Sequence, residues 1–195
     1  MPYEKAAAPG EGAAAGNDLG NVDTSQSENK SQAIAHFSNI PVALTERPQW
    51  VCWTYRFKFG EKPTKVPLNP HDGTYAASVN PSTWGTFDEA VSAFCCHECY
   101  GIGFVLTRDD PFGFIDLDDA WKTDAHGNLI HADPQAEFER QLKIVETFDS
   151  YTEKSPSGRG VHIIVTTPGV ESGGKRGSVE VYTSGRFMTM TGNVL

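Results

Sequence analysis

The 195-residue chain predicts an α+β domain. Short runs of β-branched and aromatic residues recur along it, often alternating apolar with polar side chains, as strands do. Two stretches, opening near Phe87 and Pro134, instead repeat apolar residues at helical spacing. Clusters of glycine, proline, serine and asparagine separate these runs as turns.

Composition narrows the class before any element is placed. Hydrophobic residues make up 38% of the chain and aromatics 11%, as in a globular protein with a real core. No apolar run approaches the ~20 residues needed to cross a bilayer, and no secretory signal opens the chain, so no membrane partner is expected. Four cysteines, with Cys95 and Cys96 adjacent, make no disulfide framework and point to a reducing cytoplasm. The net charge of −9 argues against a broadly basic nucleic-acid coat. Residues 1–40 carry two lysines and five acids of that total. Any contact with nucleic acid must therefore be a local groove.

Residues 1–33 are alanine, glycine, serine, asparagine and acid, too poor in large apolar groups to offset the entropy of ordering. They predict a disordered tail, with residues 1–39 outside the fold and 40–195 forming one domain. A short helical turn is expected at 44–47, stopped by Pro48. Trp50 to Phe57 reads as a strand, Gly60-Glu61-Lys62-Pro63 as a turn, and Thr64 to Leu68 as the returning partner. Lys65, opposite the apolar side of that strand, reads by itself as a solvated lysine. After a polar loop at 69–81, Thr86 and Glu89 form a capping box for a helix whose apolar stripe is Phe87, Ala90, Val91 and Phe94. That helix runs into Cys95-Cys96-His97-Glu98-Cys99. One Cys-x-x-Cys pair without a second is not a structural zinc site, so the cluster reads as a frayed helix end with buried thiols.

Gly101 to Leu106 is a strand, followed by a tight acidic turn at 107–111, and is expected to form an antiparallel hairpin with the next strand. That next stretch, Phe112-Gly113-Phe114-Ile115-Asp116-Leu117-Asp118-Asp119, is the most informative in the chain. On a strand Asp116 and Asp118 share a face, roughly 6–7 Å apart. They repel unless a cation lies between them, and Mg²⁺ or Mn²⁺ suits two hard carboxylates with room left for phosphates. A second helix follows at 134–148, with Phe138, Leu142 and Val145 expected on its inner face. Ser155-Pro156-Ser157-Gly158-Arg159-Gly160 is then a loop whose amides and side chains suit phosphates. It feeds a strand in which His162 shares a face with Ile164. Near the end, Glu180 and Tyr182 face opposite Val179 and Val181, which makes Glu180 the candidate third carboxylate. Arg186, in the turn before the last strand, is placed to reach a triphosphate.

In their order, these stretches resemble the archaeo-eukaryotic primase superfamily, specifically the primase-polymerase domains of phages and plasmids. The matching residues are Arg47 to Trp53, Lys62-Pro63-Thr64-Lys65-Val66-Pro67, Ser82 to Phe87, Gly101 to Leu106, Ile115 to Asp119, Ser155 to His162, Val179-Glu180-Val181-Tyr182, Gly185-Arg186-Phe187 and Thr191-Gly192-Asn193. The resemblance implies a small N-terminal α/β unit packed on an RRM-like, mainly antiparallel catalytic sheet. It implies template-directed nucleotidyl transfer on single-stranded DNA by a two-metal mechanism, with Mg²⁺ or Mn²⁺ held by Asp116, Asp118 and Glu180. It places His162, Ser155, Ser157, Gly158 and Arg159 at the phosphates of the incoming dNTP or NTP, with Lys65 and Arg186 nearby. A replicative helicase is the further partner it suggests.

Two other readings stay open on the residues alone. A non-catalytic module binding single strands or nucleotides has no need of Asp116, Asp118 and Glu180, which repel phosphate. A metal-dependent nuclease uses the same acids but has little need of a triphosphate cradle. Since residues 1–195 close within two residues of the last motif, they are expected to elongate primers and to start few chains.

Overall fold

The computed structural model describes residues 24–96, 98–167 and 173–195 and arranges their strands in two sheets. The first has four strands: β1 (Trp50–Arg56), β2 (Thr64–Leu68), β3 (Gly101–Leu106) and β9 (Arg186–Met190), in the order β2-β1-β3-β9. The second has five: β4 (Phe112–Leu117), β5 (Thr152–Lys154), β6 (Val161–Thr166), β7 (Gly174–Arg176) and β8 (Val179–Tyr182), in the order β5-β6-β4-β8-β7. Every pairing in both is antiparallel. With helices α1 (Thr24–Phe37), α2 (Val42–Thr45), α3 (Phe87–Cys96) and α4 (Pro134–Phe148), the class is α+β, as expected. The first sheet is not purely N-terminal, because the last strand of the chain closes it. Among the described residues no helix is long and apolar enough to cross a membrane.

Several elements form for the reasons visible in the sequence. Thr86 and Glu89 make the reciprocal capping box of α3: Thr86 N donates to Glu89 Oε2 at 2.8 Å and Glu89 N to Thr86 Oγ1 at 3.3 Å. Asp133 caps α4 by accepting from Ala136 N at 3.0 Å. The β1–β2 hairpin pairs Tyr55 with Lys65 and Trp53 with Pro67.

Four expectations need correction. β3 and β4 are not a hairpin; they belong to different sheets. The turn between them is a crossover fixed by Asp110, whose carboxylate accepts from Arg47 Nη1 at 2.9 Å, Gln49 Nε2 at 2.8 Å and Thr107 N at 2.7 Å. The fold also starts before residue 40. Residues 24–37 are helical, and Phe37 is buried, packed edge-on against Phe94 at 5.6 Å. Residues 1–23 of the expected tail lie outside the described residues.

The inner face of α4 differs too. Gln141 is buried and Ile144 and Val145 pack on the second sheet, while Phe138 and Leu142 are exposed. Phe138 instead meets Trp121 at 5.3 Å. Of the clustered thiols only Cys99 is buried; Cys95 and Cys96 are exposed, and His97 lies outside the described residues.

The main core draws on both sheets and on α1–α3: Trp50, Ile102, Phe104, Met188 and Met190 from the first sheet meet Phe112, Phe114 and Ile164 from the second. The opposite face of the second sheet, with Ile115, Leu117, Ile163 and Val165, packs on α4. Strand alternation thus buries both faces of β4 near its start.

Candidate active site

Phe112, Phe114 and Asp116 lie on one face of β4, because successive strand residues alternate. The first two enter the main core; Asp116 carries the same face out of it into a cleft. Its direct cross-strand partners are His162 on β6 and Glu180 on β8. The register continues outward, His162 opposite Glu153 on β5 and Glu180 opposite Lys175 on β7. Directly opposed residues share a face. One polar row, Glu153–His162–Asp116–Glu180–Lys175, therefore crosses the whole five-stranded sheet.

The cleft beside the row has a volume of about 230 Å³ and brings together Lys65, Asp116, Asp118, Ser155, Ser157, Arg159 and His162. Glu180 and Arg186 open instead into the adjoining hollow, with Lys175 and Tyr182. Gly158 lines a third hollow, beside Tyr100 and α1. Arg186 lies over the Tyr182 ring at 4.6 Å.

The electrostatics follow from this crowding. Burial raises the Asp116 carboxyl above its usual range; His162 and Lys65 oppose the rise, and Asp118 and Glu180 add to it. Burial lowers the Lys65 ammonium, with Asp116 holding it partly back. Asp118 is paired with Lys122, Nζ to Oδ2 at 2.7 Å, and Glu180 with both Lys175 and the Tyr182 hydroxyl. Arg159 Nε lies 3.5 Å from Asp119 Oδ2.

His162 is buried, with Nδ1 3.1 Å from Glu153 Oε1 and Nε2 4.0 Å from Asp116 Oδ1. Glu153 is 0% exposed. It accepts from Thr191 N at 3.0 Å, Gly192 N at 2.8 Å and the Tyr151 hydroxyl at 2.8 Å. A carboxylate in that position accepts a hydrogen bond from Nδ1–H and leaves Nε2 facing the cleft. Burial, then the Glu153 charge, push the Tyr151 phenol well above its usual range, so it stays a donor.

The serine–glycine loop differs from its expected form. Three of its amides are spent inside the turn: Gly158 N on Ser155 O at 2.8 Å, Arg159 N on Ser157 Oγ at 3.3 Å and Gly160 N on Ser155 Oγ at 3.1 Å. Gly160 is required there, since a Cβ would sit 2.8 Å from Leu117 O. What the loop offers the cleft is its side chains, with Arg159 the longest.

Sequence reasoning missed Glu153, Asp119 and Lys122. The signal for Lys122 was its spacing of four from Asp118. Glu153 sits in a three-residue strand, too short for alternation to register.

Among the described residues no three histidine, cysteine or carboxylate side chains stand close enough together to enclose a metal ion. Asp118 pairs with Lys122 and Glu180 with Lys175. The donor chemistry nonetheless suits a hard divalent cation: carboxylates from adjacent strands, one with its pKa raised by burial and further by the Asp118 and Glu180 charges.

No family model matches the chain. Over 161 residues it is 37% identical to the DNA primase-polymerase of Nitratiruptor phage NrS-1. The match takes in 78% of this chain and 20% of the phage protein, so the chain spans about one-fifth of that relative's length.

Proposed function

We propose that this chain, which belongs to the phage-type primase-polymerase group of the archaeo-eukaryotic primase superfamily, carries out template-directed nucleotidyl transfer on single-stranded DNA with a dNTP or NTP as donor. The observation that carries the reading is the register at Asp116, flanked by His162 and Glu180, with Asp118 two residues on and Lys65 facing it across the cleft. A pure nucleotide-binding module gains nothing from carboxylates set side by side on neighbouring strands, since they repel phosphate.

In this reading Asp116, Asp118 and Glu180 would hold Mg²⁺ or Mn²⁺, which would supply charge neutralisation for the triphosphate and Lewis-acid activation for the transfer. Lys122 and Lys175, which pair with Asp118 and Glu180, would exchange those pairs for the ion. His162, held at Nδ1 by Glu153, donates from Nε2–H to a phosphate oxygen, with both ring nitrogens protonated beside that charge. Lys65 and Arg159 hold the triphosphate from the two walls of the cleft, and Arg186 serves from the adjoining hollow.

Primer extension on a primed single-stranded template, with Mg²⁺ or Mn²⁺, tests the reading. Stepwise growth of the primer is expected. Shortening of template or primer without growth would replace it with a nuclease.

A further inference from the structure

The β1–β2 hairpin carries side chains that the cleft does not use. Phe57 is 69% exposed and Phe59 108%, and Arg56, Lys58 and Lys62 around them are exposed as well. Residues 55–65 hold four basic side chains and one acid, in a chain of net charge −9. Lys58 is only loosely engaged by that acid, Glu61, at 3.6 Å.

The rings at the tip connect back to the site. Phe57 lies 6.1 Å from Tyr55, Tyr55 lies 5.0 Å from Tyr100, and Tyr100 stacks on Trp53 at 5.9 Å. Lys65 Nζ lies 5.3 Å over Trp53, and Lys65 also lines the acidic cleft. Through Lys65, the rings of Trp53, Tyr100, Tyr55 and Phe57 therefore link the cleft to the hairpin. Beside it lies a groove of about 720 Å³, lined by Tyr55, Phe57 and Tyr100 and by residues of α1.

Exposed rings give bases a stacking surface that tolerates any sequence, and interleaved cations follow the phosphates. A protein partner would use the rings, but not a local excess of positive charge in an acidic chain. We infer that this hairpin and its ring string bind the single-stranded DNA template and lead it to the cleft. The inference rests on the function proposed above, and it names the surface that the template uses.

The test measures binding of a fluorescein-labelled oligothymidylate to the full chain by anisotropy, without nucleotide or divalent cation, across a salt series. Phe57→Ala and Phe59→Ala each weaken binding about fivefold or more, with Tm unchanged because both rings are exposed. Phe59→Trp retains binding. Lys62→Gln lowers the slope of log affinity on log salt by about 0.7. Asp116→Asn binds the oligonucleotide no more weakly than the wild type. Unchanged affinity and slope in the phenylalanine and lysine variants would overturn the inference, as would variants that alter only self-association. Binding that depends on the hairpin in a protein with no polymerase activity would leave the inference standing and remove the proposed function. Primer extension unaffected by hairpin variants that also bind normally would do the reverse.

Discussion

Asp116 is charged at a cost to the fold. Its pKa is raised, so the stability it contributes is fully present below its ordinary value of 3.8 and is lost as pH rises through the folded-state value. Asp116→Asn removes that penalty. Tm at pH 7–8 should match or exceed the wild type, and the difference should close toward pH 3, while nucleotide incorporation falls by at least about a hundredfold. Asp118→Asn should lose activity to the same degree, although it gives up the Lys122 pair, which is worth little at a half-exposed site. Near-normal incorporation in either variant would defeat the metal-ligand assignment. His162→Ala should weaken nucleotide binding about tenfold, the scale of a hydrogen bond to a charged group, and leave oligonucleotide affinity unchanged. Equal losses of both would place His162 on the template instead. Asp116 and His162 were legible in the sequence because alternation on a strand fixes which residues share a face. Their mutual register was not, because which strands pair is decided by contacts far apart in the chain.

Whole elements show the same division. Strands β1, β4 and β6 and the capped helix α3 follow local patterns, and the chain adopts them. The β3–β4 hairpin failed because the 107–111 turn has ordinary hairpin chemistry, while three donors from distant or neighbouring backbone and side chains hold Asp110 in a crossover. The α4 stripe held at Val145 and failed at Phe138 and Leu142 for a different reason: the helix also uses polar residues on its inner side. Gln141 Nε2 donates to Asp118 O at 2.7 Å and to Ser178 Oγ at 3.1 Å, clamping the end of β4 to the start of β8. Glu137, bonded to Arg140 and Ser178, has its carboxyl held down to about 2 from 4.5. A depressed carboxyl contributes stability above its unfolded value, and that contribution is lost as pH falls through the folded one. Glu137→Gln should therefore lower stability at pH 7 by about 1 kcal/mol, discounted because Arg140 is 45% exposed. The deficit should shrink between pH 4.5 and 2. A deficit independent of pH across that range would mean that the carboxylate's charge is not what holds α4 to the sheet.

At the scale of the molecule, the joint between the sheets and the site share one residue. Glu153 stands on β5 in the second sheet, yet its carboxylate takes the backbone N–H groups of Thr191 and Gly192, directly after β9 of the first. Its remaining acceptor capacity orients His162. Glu153→Gln places an amide NH₂ among donors and leaves a buried group without a partner, at about 1–3 kcal/mol. It should lower Tm and also weaken nucleotide binding, through a His162 ring no longer held at Nδ1 by a carboxylate. Phe37→Ala is the matched control. It removes a buried ring from the same end of the molecule, at about 3 kcal/mol or more, but Phe37 neither lines the acidic cleft nor joins the pair of Glu153 with His162. Well below its lowered Tm, Phe37→Ala should bind nucleotide as the wild type does, whereas Glu153→Gln should not. If both variants lost nucleotide affinity in proportion to their loss of stability, Glu153 would be only a fastener between the sheets, and the orientation of His162 would have to come from elsewhere.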